Sequence, residues 1–299
     1  MSKQMRGRIG LIIVAIIWGS GFTFSAVALD FFSPFQILAI RFTIAFLLMC
    51  LFFFKQFKHI NIQSIKKGII LGVFLYFAFM FQTIGLVYTT PSKNAFLTAF
   101  NVVLVPVITA IVYKKGLNRA SIIGALLSII GVAIMSLDNF TQINIGDLLT
   151  LICALFFALQ IFYTNEFVQN ENIFVLNTIQ IGTAAVLGNI VALVRNDAIQ
   201  PLTSRGVVSV IYLGAISTML AFLLQTAAQR YTTGTETAII LSTEAVFGMV
   251  FSAILLKEVI TGKMLLGSAL ILAGVLIVQL APRRKNIEAM RKWEEEKLH

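Results

Sequence analysis

Charged side chains make up only 12% of the 299 residues, where a typical soluble domain carries about 25%. With 58% of the residues hydrophobic, the chain lacks the polar surface to face water on all sides, which excludes an ordinary soluble enzyme. Histidine and cysteine are nearly absent as well. His59 and His299 fall in a loop and at the terminus, and Cys50 and Cys153 lie inside apolar runs without a spacing motif. They supply neither a metal centre nor a disulfide framework, and the cysteines read as small buried hydrophobes. No P-loop or dinucleotide-binding glycine pattern occurs, so nucleotide-driven pumping has no support and no cofactor is expected.

Long apolar runs are what the chain has in abundance. Ten blocks fall at about 9–29, 35–54, 68–88, 95–113, 120–137, 148–165, 173–194, 206–229, 235–256 and 264–281. A helix of about 20 residues crosses the roughly 30 Å hydrocarbon layer, and only helices or closed barrels satisfy the backbone there. The blocks lack the alternating polar residues of a barrel strand, so the expected fold is all-α, with ten transmembrane helices and no large soluble domain. The tightest links are Asp30 to Pro34 and Tyr88 to Asn94, where "YTTPSKN" supplies turn-forming residues. Pro106 is expected to kink or loosen the fourth helix.

Lys and Arg assign the orientation. With the N-terminus inside, 17 of the 23 fall in cytoplasmic segments, including Lys3, Arg6, Arg8, Lys55, Lys66, Lys114 and the tail. Both termini therefore read as cytoplasmic, and the chain as a multi-pass protein of the cell inner or cytoplasmic membrane. The formal net charge of +10 is this topology signal and implies no nucleic-acid partner. The first block ends in "SAVALD", which imitates a signal-peptide cleavage site, but its length exceeds a signal core of about 7 to 15 residues. It reads as the first spanning helix. Membrane lipid is the surrounding partner, and the tail 282–299, basic and then acidic, reads as a solvated juxtamembrane anchor.

Shifting the chain against itself by 143 residues aligns polar as well as apolar positions. Gln82-Thr83 meets Gln225-Thr226, Tyr88-Thr89-Thr90 meets Tyr231-Thr232-Thr233, and Gly131-Val132 meets Gly274-Val275. Residues 1–143 and 144–281 thus read as two five-helix units. An odd number of crossings turns the second unit upside down, and inverted repeats of this kind are a common architecture of secondary transporters.

Polar side chains inside the membrane are costly and mark a solute path or a helix contact. Glu244, near the middle of the ninth helix, is the foremost candidate for solute binding or proton coupling. Arg41, early in the second helix, either snorkels to the headgroups or faces a cavity and meets an anionic group. Gln82 and Gln225 occupy equivalent repeat positions, as do Asn101 and Glu244. Gln160 and Tyr163 share one face of the sixth helix. Trp18, in "WGSGF", lines a cavity or packs a helix contact. Tyr76 completes the candidate set, and the 26 Phe residues are assigned to lipid contact and core filling.

The order and spacing of several segments resemble the EamA-type members of the drug/metabolite transporter superfamily across residues 8–281. The matching pieces are "WGSGF" at 18–22, Arg41-Phe42, "GLVYTTPSKNAFL" at 85–97, "TEAVF" around Glu244, and "LLKEVITGKMLLGSALILAGV" at 255–275. The resemblance implies ten helices in two homologous halves and a central cavity built from helices one to four and six to nine. It also implies secondary, often proton-linked, export or exchange of small metabolites such as amino acids. Where many relatives carry Glu-Pro in helix nine this chain has Glu244-Ala245, which puts the proline-related bend in question. The first repeat also has Lys114-Lys115 where the later motif has Lys257-Glu258, and Glu258 reads as an end-of-helix structural residue.

The expected function is secondary active transport of a small polar organic metabolite by alternating access, as an exporter or proton-linked exchanger, with an amino acid or related compound as one class. A channel or facilitator is the alternative, although the scattered polar residues form no ring of a selective pore. A membrane scaffold ranks lower because large extramembrane loops are absent. No nucleophile-and-base arrangement suggests an enzyme. Substrate identity and oligomeric state are left open.

Overall fold

In the computed structural model, which describes residues 2–114, 116, 119–138, 142–198 and 201–280, the chain is a bundle of ten apolar helices. We number them α1 (Lys3–Leu29), α2 (Pro34–Phe53), α3 (Ile62–Tyr88), α4 (Pro91–Val112), α5 (Arg119–Ser136), α6 (Ile145–Phe167), α7 (Ile173–Arg195), α8 (Ser204–Gln229), α9 (Gly234–Leu256) and α10 (Gly262–Leu280). All except α5 and α10 are long and apolar enough to cross a membrane, and those two carry shorter apolar stretches. The protein is an all-α, multi-pass membrane protein. A two-residue antiparallel ladder, Leu137–Asp138 with Gln142–Ile143, joins α5 to α6. The tail 282–299 and Lys115 lie outside the described residues.

Caps explain where the helices start. Ser33 and Gln36 form a capping box ahead of α2, and Asn61 with Ser64 does the same for α3. Thr90 and Thr233 each accept from a backbone N–H three residues on, at 3.3 and 3.2 Å, and open α4 and α9. Pro91 stands at the first turn of α4, where its missing N–H costs nothing, so the expected Tyr88-to-Asn94 link shrinks to Thr89–Thr90. α1 and α3 also begin about six residues before their apolar blocks, because basic and polar residues extend the helix past the hydrophobic stretch.

α4 and α9 are not continuous α-helices. In α4 the N–H groups of Phe100, Val102 and Val103 reach back three residues to the carbonyls of Leu97, Ala99 and Phe100, at 3.2, 3.1 and 3.0 Å. In α9 the N–H groups of Thr243, Ala245 and Val246 bind Ile240, Ser242 and Thr243 at 3.2, 3.2 and 3.1 Å. The same three tightened bonds recur 143 residues apart, just around Asn101 and Glu244. Pro106 lies inside the helix after the α4 break, and the α9 break forms with Ala245 after Glu244, so neither break requires a proline at that place. A third irregularity is a π-helical stretch, Leu213–Leu220, within α8.

Helices of the N-terminal half pack mainly on those of the C-terminal half. α1 lies against α8 and α9, α6 against α3 and α4, α2 against α7 and α8, α3 against α7, and α5 against α10. The α5–α10 contact is backbone-close, since a Cβ on Gly131 would stand 2.6 Å from the Gly267 carbonyl oxygen and one on Gly274 2.5 Å from that of Gly124. Only glycine permits that approach. The outer face is apolar, with Leu47, Leu51, Leu193 and Val194 exposed, which suits contact with lipid. Inside are two large apolar clusters, one around Phe96, Val102, Ile161 and Ala238, the other around Phe42, Leu75, Phe79 and Phe222. Trp18 packs against both.

Candidate functional site

Between the two clusters lies a cavity with about 470 Å³ of empty space, its open side included. The room for the centre of a water molecule is only about 30 Å³, enough for about two waters. Anything larger than about two waters enters only with movement of side chains or helices. Six of the nine sequence candidates line the cavity: Trp18, Arg41, Gln82, Asn101, Gln160 and Glu244. They come from α1, α2, α3, α4, α6 and α9.

Arg41 does not snorkel. Its side chain is buried at 1% exposure, its guanidinium lies 4.0 Å from the centre of the Phe79 ring, and Nε and Nη2 donate to Thr218 Oγ1 at 3.1 and 3.0 Å. No carboxylate pairs with it among the described residues. Glu244 is buried at 4% exposure and likewise makes no side-chain hydrogen bond or ion pair among them. One cation and one carboxylate thus share a cavity, neither with an oppositely charged partner among the described residues. Buried charges left in this way are expensive, so a ligand that completes them gains strongly.

The other polar groups are more fully engaged. Gln82 donates to Thr98 Oγ1 at 3.2 Å; Asn101 is an exception, its Oδ1 buried without a partner among the described residues. Trp18 donates its indole N–H to the Ser217 carbonyl at 2.9 Å, which fixes the ring as part of the wall. Gln160 heads a buried amide network: it donates to Thr164 and to Gln180 Oε1, both at 3.0 Å, and accepts from Gln225 at 3.3 Å. Gln225 is therefore placed one layer behind the cavity.

Tyr76 and Tyr163 lie away from the lining. Tyr76 is buried in the second cluster against Phe77, and Tyr163 stacks on Phe74 at 5.6 Å. The wall also contains residues that polarity could not single out: Gly21, Phe22, Phe79, Phe157, Ile161 and Leu241. Three phenylalanines thus both fill the core clusters and line the cavity. In sequence they are indistinguishable from the other Phe residues; only Phe22, inside "WGSGF", carries a local signal.

Both ends of the helix bundle are tied. At the end where α1, α3 and α9 begin, Arg8 pairs with Glu236 and Lys67 with Glu171, each at 2.6 Å, and Arg230 donates to the Glu171 carbonyl at 2.6 Å. At the opposite end Glu258 accepts from the Ser92 N–H and hydroxyl at 3.2 and 2.8 Å and also from Ser252, while Thr89 donates to Asp147 at 2.6 Å. Among the described residues no group of three or more His, Cys, Asp or Glu side chains could hold a metal ion.

The comparisons with known proteins agree with this architecture. The model of the EamA-like transporter family matches the chain twice, at residues 5–137 and 144–280. An uncharacterized transporter of Archaeoglobus fulgidus is 34% identical over 278 residues, covering 93% of this chain and 87% of that protein. A probable amino-acid metabolite efflux pump of Salmonella typhimurium is 26% identical over 286 residues, covering 89% and 92%. A solved crystal structure superposes with a TM-score of 0.71 at 16% identity, covering 94% of this chain and 98% of that one, and speaks to the fold.

Proposed function

The chain belongs to the EamA-like transporter family of the drug/metabolite transporter superfamily, membrane transporters and not enzymes, and from that premise we propose that it moves a small polar organic metabolite by alternating access. The observation that carries the reading is Arg41 and Glu244 facing one cavity, both buried, neither paired. Arg41 receives the anionic end of the solute and Glu244 receives its cationic end or a proton. Phe22, Phe79, Phe157 and Leu241 surround the apolar part. An amino acid or related compound has this pattern of charges, and the efflux pump of Salmonella typhimurium is named for such a cargo.

The two matched segments are proposed as inverted five-helix repeats, with both termini on the cytoplasmic side of the cytoplasmic membrane. The paired packing of α1 on α8 and α9, against α6 on α3 and α4, supports that relation. In this arrangement the Arg8–Glu236 and Lys67–Glu171 pairs close the cytoplasmic end, and export or proton-linked exchange proceeds as they part. A continuous pore is disfavoured by a cavity with room for about two waters.

The deciding experiment is countertransport in proteoliposomes with a labelled metabolite panel, with and without an imposed pH gradient. Saturable flux accelerated by solute on the opposite side is expected. Flux that rises linearly with concentration and carries current would replace the carrier with a channel.

A further inference from the structure

One helix of the cavity wall, α8, carries an extra residue beside Arg41. Two glycine contacts show it. A Cβ on Gly72 of α3 would meet the Gln180 carbonyl oxygen at 2.5 Å and Thr183 Cβ at 2.5 Å; one on Gly214 of α8 would meet Ile44 Cβ at 2.7 Å and the Arg41 carbonyl oxygen at 3.0 Å. The contact is the same in the two halves, with Gln180 and Arg41 in corresponding places on α7 and α2. Yet Ala78, in "AFMFQT", follows Gly72 by six residues, whereas its counterpart Ala221, in "AFLLQT", follows Gly214 by seven. α3 runs through this stretch as a regular α-helix, while α8 absorbs the additional residue in the π-helical segment Leu213–Leu220.

An insertion of one residue rotates the chain beyond it by about 100° relative to an uninterrupted helix. Two polar groups of the π segment make contacts that bear on the cavity. The Ser217 carbonyl faces Trp18, whose indole N–H it accepts at 2.9 Å. Thr218 donates its hydroxyl five residues back to the Leu213 carbonyl at 2.8 Å, a span that fits the π turn. With its proton committed there, Thr218 Oγ1 presents lone pairs to Arg41 and accepts from both Nε and Nη2. That occupies the side-on edge of the guanidinium. The end-on edge, formed by Nη1 and the second hydrogen of Nη2, is left over: Nη1 has no protein acceptor among the described residues, and this is the edge that grips a carboxylate or phosphate with two parallel bonds.

We infer that Thr218, held by the π turn of α8, is a positioning and specificity-determining residue that aims the end-on edge of Arg41 at an anionic group of the solute. This rests on the cavity being the solute site. π turns recur at functional sites, and this one occurs in only one of the two matching helix stretches, so the helix-to-helix contact itself does not demand it. The corresponding side of the bundle has the neutral Gln180 in place of Arg41, bonded into the amide network. Charge and insertion therefore occur together.

The test uses the full chain in proteoliposomes with Trp293→Phe, which leaves Trp18 as the sole tryptophan and reporter of the cavity. The probes are 4-methylpentanoate and 4-methylpentanamide, alike in shape and different in charge. Wild-type Trp18 emission is expected to show tighter binding of the acid by at least about tenfold, the size of one lost hydrogen bond to a charged group. Thr218→Val should bring the acid-to-amide ratio near one, and Thr218→Ser, which keeps the hydroxyl, should restore it. A melting curve for each variant separates this from misfolding, because a merely structural residue would change both affinities together. A wild type that does not respond to the acid or that binds both probes equally, a Thr218→Val protein that keeps the wild-type ratio, or a failure of Thr218→Ser to restore it overturns the inference. Countertransport in the same vesicles judges the carrier reading separately, since a protein without saturable exchange would fail there whatever the acid-to-amide ratio shows.

Discussion

Adding one methyl group to Gly131 or to Gly274 tests how α5 and α10 are held together. In Gly131→Ala the new carbon meets the Gly267 carbonyl oxygen at 2.6 Å and Ile271 Cγ1 at 2.9 Å; in Gly274→Ala it meets the Gly124 oxygen at 2.5 Å and Ser128 Oγ at 2.6 Å. A carbon settles against a carbonyl oxygen at about 3.4 Å, so relief requires the helices to part by roughly 0.8 Å. The close obstacle in each case is backbone, which no rotamer change removes. Overpacking of this kind costs about 1 to 3 kcal/mol. Because one displacement relieves both contacts, the double variant should cost little more than either single one, leaving a coupling of about 1 to 2 kcal/mol. The assay is denaturant-induced unfolding of purified protein in mixed micelles, followed by far-ultraviolet circular dichroism. Singles that cost under about 0.5 kcal/mol, or a double equal to the sum of the two, would refute the reasoning. Neither helix lines the cavity, so transport per folded molecule should stay at the wild-type level.

Three further outcomes are expected. Glu244→Gln removes the only carboxylate of the cavity lining and should abolish acceleration by an imposed pH gradient, which proteoliposome uptake at several gradients would measure; an unchanged response removes Glu244 from coupling. Arg8→Ala, Glu236→Gln and their combination form a double-mutant cycle in which the half-exposed Arg8 limits the coupling to about 1 kcal/mol, read by the same unfolding assay and weakened by added salt; a coupling indifferent to salt would contradict an ionic origin. Gln160→Leu strands the Gln180 Oε1 and the Gln225 amide and should cost about 1 to 3 kcal/mol, while Gln160→Leu with Gln225→Leu should cost less than the two singles together; additivity would show that the amides do not act as one network.

Much of this molecule was readable in the sequence because a bilayer makes polarity conspicuous. The ten apolar blocks correspond to the ten helices, and Arg41, Gln82, Asn101, Gln160 and Glu244 stood out because hydrocarbon tolerates few such groups; all five line the cavity. Tyr76 and Tyr163 lie outside the lining, their rings packed on neighbouring aromatics, and the Tyr76 hydroxyl is buried without a partner among the described residues. The same logic was blind to Phe22, Phe79, Phe157 and Leu241, since an apolar residue looks alike facing lipid, core or solute. The helix breaks at Ala99–Phe100 and Ser242–Thr243 carry no glycine or proline, so they arise from tertiary packing that local propensity does not report. The π turn had a faint trace: the 143-residue register, gap-free from Ala78, changes to 142 at Gly72 and Gly214.

The tightened turns of α4 and α9 bear on how such a molecule chooses between its two sides. Each has three short-span hydrogen bonds of nearly equal length, and the two sit at matching places in the two halves. In the proposed alternating cycle, loosening either turn would give up the same three bonds, so the backbone cost is alike in the two halves. The molecule then resembles a seesaw with equal arms, poised by construction and tilted only by what sits on it. What differs between the arms is the residue at the fulcrum, Asn101 on one and Glu244 on the other. In the proposed carrier, a proton or a solute cation arriving at Glu244 would have no carboxylate counterpart on the opposite arm, where Asn101 stands, and that inequality would give a gradient its leverage.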